Sequence, residues 1–418
     1  MPTGLFTPIL NDRTRAPYFF NGRLLTGEAM TDEQRAQHAA HEILARGLGD
    51  GVAYGLQVAQ SKDFDTVDRP VVTVKAGAAV TRRGDLLLLA ADTDVELVRP
   101  ATASVAPQRI FEACNPPEQG AYVADAGVYL LTIAPVNVGN GLAPVSGLGG
   151  GNGCNVKYRV DAVEFHLVKL PVDGATLSDT ARLRNVVAYQ CFGVADLLDF
   201  AADPFARPPS GEPQTLLDQI RTKQLGDCEV PLAVMYWTAT GGLQFVDLWS
   251  VRRRLTRTRT AAELFLPISD VRLAAAEAMV LQFERHVLDL IAASGSPTTL
   301  RASDSFRYLP SLGGVPLPAP GRKGIAYGQF FAGRTYNPPR FVNGAKLAPI
   351  LRNFLTTAPI DFGNDEMLWL YTIVENVRDA NAGGPAAPQT YLLFATGQIP
   401  YQADAQFNVS YWNYSNYV

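Results

Sequence analysis

The chain has 418 residues, of which 47% are hydrophobic and 18% charged, and its formal net charge is −4. That length suits two or three domains with a sizeable core, and the low-charge globular composition excludes a wholly disordered chain. The charge balance gives no overall pull toward nucleic acid or an anionic membrane, and the longest apolar runs, such as 86–91, are too short to cross a bilayer.

The opening "MPTGLFTPILNDRTRAP" has no basic start followed by a long apolar run. No signal peptide is read there, so synthesis in the cytoplasm is expected, with release inside an assembled particle left open. A first helix is predicted from Thr31. Thr31 and Gln34 fit a capping box, and Ala36, Ala39, Ala40, Ile43 and Leu44 recur at helical spacing before Gly47 and Gly49 end it. His38 and His41 stand three apart on this helix. Two histidines without a third ligand in view do not define a metal site, so a solvated face is expected.

Strands follow. "VVTVKAGAAVTRRGDLLLL" reads as strand, turn, strand, with Arg82, Arg83, Gly84 and Asp85 in the turn. "AGVYLLTIAPVNV" and "VKYRVDAVEFHLVKL" read as two more extended segments, the second placing Asp161, Val163, Phe165 and Leu167 on one face. Between them, "GNGLAPVSGLGGGNGC" is Gly-rich but has no G-K-S/T and no G-x-G-x-x-G, so it reads as a loop between strands and not as a phosphate cradle. The Pro-rich "DPFARPPSGEPQ" reads as a surface connection. "TLLDQIRTKQLGD" reads as a short helix and "VPLAVMYWTATGGLQFVDLWSV" as a hairpin.

Arg252, Arg253, Arg254, Arg257 and Arg259 then crowd into eight positions. A nucleic-acid site would need a wider basic surface with interleaved aromatics, so a solvated or subunit-facing charge run pairing with carboxylates is expected. The strongest helical pattern spans 269–294. That helix would be about 39 Å long at 1.5 Å per residue, and Leu273, Ala276, Val280, Phe283, Val287 and Leu290 are spaced 3-4-3-4-3 along it, a seam that suits either packing against its own domain or pairing between subunits. Beyond residue 301, "FRYLPSLGGVPLPAPGRKG" reads as a crossing segment, "KLAPILRNFLTT" as a short helix, and "EMLWLYTIVENV", "QTYLLFATGQI" and "AQFNVSYWNYSNYV" as strands of a small sandwich. Trp412 and Tyr414, in the aromatic-rich tail, are a second partner-facing or sugar-facing candidate.

The expected fold is thus mainly β with some α: a leading helix and β domain over 1–260, a long helical connector over 261–300, and a β-sandwich-like domain over 301–418. Four cysteines, Cys114, Cys154, Cys191 and Cys228, form no C-x-x-C pair, which excludes a zinc ribbon. Cys114 and Cys154 could meet across a hairpin, but free thiols are expected in a reducing compartment. His166 and His286 have no neighbouring nucleophile in sequence. There is no G-x-S-x-G or H-E-x-x-H, and adjacent carboxylates such as Asp365 and Glu366 do not by spacing make an acid and a base. No catalytic residue, cofactor or metal is therefore assigned.

Several segments together resemble a family of bacterial proteins associated with contractile injection systems and phage-tail-like particles. The resemblance lies in Phe20, Gly22, Leu24, Leu25 and Thr26, then in Gly49, Gly51, Val52, Gly55, Leu56 and Val58, and in the hairpin that follows. Patches such as "CNVKYRVDAVEFHLVKL", "VDLWSVRRRL" and "LWLYTIVEN" extend it over most of the chain, although the first helix here is Ala-rich where relatives carry a more basic one. The resemblance implies a structural subunit at a baseplate or fibre, partnered by itself and by other particle subunits. A carbohydrate-binding module contacting a surface glycan, and more remotely a glycosidase, are the alternatives.

Overall fold

The computed structural model describes residues 16–98, 125–144, 154–193, 215–221, 224–256, 270–319, 322–343, 354–355, 357–364, 367–374 and 390–397. The protein is mainly β with some α, as its composition and alternation suggest.

Helix α1 (Gly27–Leu48) starts four residues before the expected Thr31. Thr26 is the N-cap, its hydroxyl accepting from the Ala29 N–H at 3.1 Å, while the Thr31 hydroxyl, inside the helix, donates back to the Gly27 carbonyl. The buried stripe is Ala29, Ala36 and Ala45; Ile43 and Leu44, expected to face inward, are exposed. Small side chains let the helix approach closely, and the larger apolar ones are left outside.

Six short strands follow: β1 (Gly51–Gly55), β2 (Val58–Gln60), β3 (Val71–Val74), β4 (Gly77–Val80), β5 (Leu86–Leu89) and β6 (Thr93–Glu96). They form two sheets, β1-β4-β5 and β2-β3-β6. The expected 71–80 strand therefore breaks at Lys75 and Ala76 and is shared between the sheets. The chain also switches sheets at Gly55 and Leu56, both with positive φ (63° and 56°). A Cβ on Gly55 would lie 2.0 Å from the Ala76 carbonyl oxygen, so only glycine fits there.

Strands β7 (Gly127–Pro144) and β8 (Cys154–Lys169) pair antiparallel along nearly their whole length, from Tyr129↔Lys169 to Pro144↔Cys154. The first part of the expected Gly-rich loop, 139–144, therefore belongs to β7; 145–153 lies outside the described residues. β9 (Val230–Thr238) and β10 (Gly242–Asp247) complete the order β10-β9-β7-β8. Pro231 lies in the interior strand β9, where its missing N–H would break the ladder. The register shifts between Leu131 and Thr132, which absorbs it. β9 covers β7 only as far as Ile133. The remaining eleven positions, about 36 Å at 3.3 Å per residue, have β8 as their ladder partner and form a two-stranded arm.

One face of this sheet packs on the small strands through Tyr129, Leu131, Ile133, Leu232 and Met235. The other packs on α3 (Leu183–Phe192), which follows the short α2 (Gly174–Ser178), and on α4 (Leu216–Arg221), through Val128, Leu130, Val187 and Ile220.

Helix α5 (Asp270–Ala293) matches the predicted span within a residue. It is not a free connector. Phe283, Val287 and Ile291 are buried in a core with Phe306, Phe330, Leu370 and Phe394. The downstream strands are β11 (Tyr308–Leu309), β12 (Leu312–Pro316), β13 (Arg340–Asn343), β14 (Ile360–Asp361), β15 (Trp369–Val374) and β16 (Thr390–Ala395). Among the described residues they make a mixed sheet β12-β16-β15-β13, with β13 parallel to β15, and a β11-β14 pair. Helix α5 backs this sheet; the last expected strand segment, 405–418, and most of the expected short helix, 346–357, lie outside the described residues. The expected crossing segment supplies β11 and β12. A Cβ on Gly313 would fall 2.4 Å from the Phe394 ring, so glycine in β12 makes room for that aromatic. Phe283→Ala, which empties a site between the Phe306 and Phe394 rings (centroids 5.2 and 5.1 Å away), is expected to cost about 3–5 kcal/mol in a denaturant titration.

Candidate functional site

Of Arg252, Arg253 and Arg254, expected to be solvated or partner-facing, the first two turn to backbone carbonyls within the chain and the third stays exposed. The stretch lies along β1: Asp50 and Thr256 exchange backbone hydrogen bonds of 2.9 and 3.0 Å, and the Val52 N–H donates to the Arg253 carbonyl at 2.9 Å. Arg252 is buried. Its guanidinium donates to the Leu56 carbonyl at 2.8 Å and to the Gly55 carbonyl, the two positive-φ residues of the sheet switch. Arg253 donates to the carbonyls of Trp249 and Arg252, both at 2.8 Å, and sits over the Phe192 ring. Arg254 is exposed and joins Asp270 (2.7 Å) and Glu277 (2.8 Å) on α5. The physical reason is carbonyl demand. A left-handed turn and a bend leave C=O groups without ladder partners, and a guanidinium supplies several donors at once. Arg257, Arg259, Trp412 and Tyr414 lie outside the described residues.

The subunit seam expected on α5 is largely taken up within the chain. Phe283 and Val287 are core residues, Leu290 packs against the same core, and Leu273, Ala276 and Val280 are half-buried. Leu281 and Leu288 are the exposed leucines of this helix. A Val280→Asp, Phe283→Asp double change would thus unfold the C-terminal core rather than release a monomer.

Beside this arginine stretch is a cavity of about 290 Å³ that Asp50, Arg82, Asp218, Arg221, Glu229 and Arg253 help to line. Its charges balance. Burial, and next the nearby Arg82, bring Arg221 down to about 10. Cys191, also on the wall, is a free thiol that burial pushes up to about 12, so it stays protonated and is a poor nucleophile. Cys228 is disulfide-bonded, contrary to the expectation of free thiols, and its partner lies outside the described side chains.

Behind Glu229 lies the register shift of β7. Glu229 takes a hydrogen bond from the Thr132 hydroxyl and one from His166 Nδ1 at 2.6 Å, and His166 Nε2 is 3.0 Å from Glu164. Burial works against a charge on His166, but the two carboxylates overcome it and push the imidazole up to about 9. His166 is therefore a structural cation and not a base at neutral pH.

A second buried network joins the two halves of the chain. Arg184 on α3 donates to Asp247 at 2.6 Å and to Asp289 on α5 at 2.9 Å. Asp247 also accepts from Gln282 at 3.0 Å and from the Ser250 hydroxyl at 2.7 Å. Burial alone would raise the Asp247 carboxyl; Arg184, Ser250 and Gln282 hold it below the usual range. Next to Arg184, Asn185 accepts from the Arg307 and Tyr308 N–H groups and donates to the Tyr308 carbonyl. His286 is buried against the Phe306 ring and pushed down to about 3, by desolvation first and by Arg184 second, so it is neutral. The sequence reading reached His166 and His286 but not their partners, which no local signal marks. Arg184 and Asp247 are 63 positions apart, and so are His166 and Glu229.

The chain matches no family model and no curated protein. No helix of the described residues is long and apolar enough to cross a membrane.

Proposed function

We propose that this chain is a non-catalytic assembly subunit of a phage-tail-like or contractile injection particle, docking to copies of itself and to neighbouring subunits. The observation that carries this reading is the apolar surface of the leading segment. Tyr18, Phe20, Leu24 and Leu25 are exposed ahead of α1, and Ile43, Leu44 and Leu48 are exposed at its end. Large apolar groups displayed in such number are the mark of a protein interface. Two further features agree with it. The β7–β8 arm displays Leu142, Tyr158 and Val160, and among the described residues no third strand pairs with it beyond Ile133. The Cys228 disulfide suits a protein that works in oxidising surroundings, as a released particle would.

The test is size-exclusion chromatography with light scattering, followed by negative-stain imaging of the same peak. A discrete ring, trimer or filament is expected, and Ile43→Asp with Leu44→Asp and Leu48→Asp should return a folded monomer. A wild type that stays monomeric at high concentration would sink the self-assembly reading.

A further inference from the structure

The leading helix and the first hairpin bring together three side chains that come from different parts of the sequence. His38 and Glu42 stand one turn apart on α1, with Nδ1 3.5 Å from Oε1. Asp85 comes from the turn between β4 and β5. One ligand atom from each of the three lies within 4.8 Å of the other two. His41, the other histidine of this helix, is not in the group.

Asp85 is the informative member. It is only 7% exposed. Its carboxylate accepts the Thr81 hydroxyl at 2.7 Å, and its own N–H donates to that hydroxyl at 3.0 Å, so Thr81 fixes its direction. The turn is pressed onto the helix: at Gly84 (φ 95°) a Cβ would lie 2.3 Å from the Glu42 carbonyl oxygen. Arg46 Nε is turned to that same carbonyl at 3.4 Å, which leaves the Glu42 carboxylate facing His38.

We propose that His38, Glu42 and Asp85 form a binding site for a divalent transition-metal ion of the Zn²⁺ type. A tetrahedral ion with bonds of about 2.0–2.2 Å holds its ligand atoms about 3.3–3.6 Å apart. The group closes to that spacing by small rotations of the half-exposed His38 and Glu42 side chains. One imidazole nitrogen with two carboxylates suits Zn²⁺, Co²⁺ or Ni²⁺; Mg²⁺ and Ca²⁺ favour oxygen alone. Three protein ligands leave one position for water. Thr81 is the positioning residue, orienting a ligand as outer hydrogen bonds do in metal sites. The ion staples α1 to the hairpin, where the helix otherwise buries only alanines.

The experiment titrates the full chain with Co²⁺, read by visible absorption, and with Zn²⁺, read by calorimetry. One ion per chain is expected, with Zn²⁺ displacing Co²⁺ and raising the melting temperature. His38→Ala and Glu42→Gln, both on the outer part of the helix, should each weaken binding by about 10-fold or more, and Thr81→Val by about 10-fold, with unchanged circular dichroism. His41→Ala should bind as wild type does. The proposal is overturned if the wild type takes up neither ion at millimolar concentration, if His38→Ala binds as tightly as wild type, or if His41→Ala loses the ion too. Preference for Ca²⁺ or Mg²⁺ would overturn the metal class.

Discussion

Arg184→Met is expected to lower the unfolding free energy by about 3–5 kcal/mol, because it leaves the buried Asp247 carboxylate without its cation. Asp247 is 1% exposed, and its remaining partners, Gln282 and Ser250, are neutral. An isolated surface ion pair would cost about 0–1 kcal/mol instead. Arg184→Met with Asp247→Asn should recover much of the loss: the amide oxygen still accepts from Ser250 and no buried charge is stranded. The effect should also be shared between the two halves of the chain, because Arg184 ties β10 to α5 through Asp247, Gln282 and Asp289. Calorimetry of the wild type and the two variants checks this. A single-variant loss of about 1 kcal/mol or less would show that the network is not what clamps the halves together.

The pH dependence of stability is expected to have its maximum near neutrality, with a histidine on each limb. His166 is raised to about 9 in the fold from an ordinary value of 6.5. A raised folded pKa contributes stability that is fully present below 6.5 and lost as the pH climbs through 9, at most about 3 kcal/mol. His166→Gln should flatten the curve in that window. His286 acts with the opposite sign. It is held near 3 in the fold, so its contribution is present above 6.5 and lost as the unfolded chain takes up a proton on acidification, by up to about 1.4 kcal/mol per pH unit. The depressed Asp247 carboxyl steepens the same acid limb. Urea midpoints measured across pH for wild type, His166→Gln and His286→Leu test the two limbs separately. Equal alkaline slopes for wild type and His166→Gln would refute the first assignment.

Local patterns carried the element types well. The apolar run of 230–238, the alternation of 163–167 and the helical spacing of 273–290 correspond to β9, β8 and α5. Boundaries and partners were less legible. Thr31 and Gln34 satisfy a capping box on paper, yet Thr26 is the cap, because Ala29 must lie inside the helix to be buried. The 3-4-3-4-3 spacing on α5 marks an apolar stripe, but a stripe does not say whether it meets another subunit or the chain's own sheet; Phe394 and Phe306 are more than twenty positions from Phe283 and occupy that face. Arg252 and Arg253 looked like surface charge because their acceptors are backbone carbonyls, which have no letter in the sequence, whereas Arg254 is exposed and paired with carboxylates.

The sequence by itself determined that this chain is a mainly β protein with two amphipathic helices, Gly-marked turns and no local catalytic motif, since those properties follow from periodicity, propensity and spacing along the chain. Only the tertiary structure decided that α5 is a core helix, that Arg252 secures a sheet switch, that His166 is a buried cation, and that Asp85 faces His38 and Glu42. Each of these depends on groups brought together from distant positions. Their energies are set by burial and by which donor finds which acceptor, and neither quantity exists until the chain is folded.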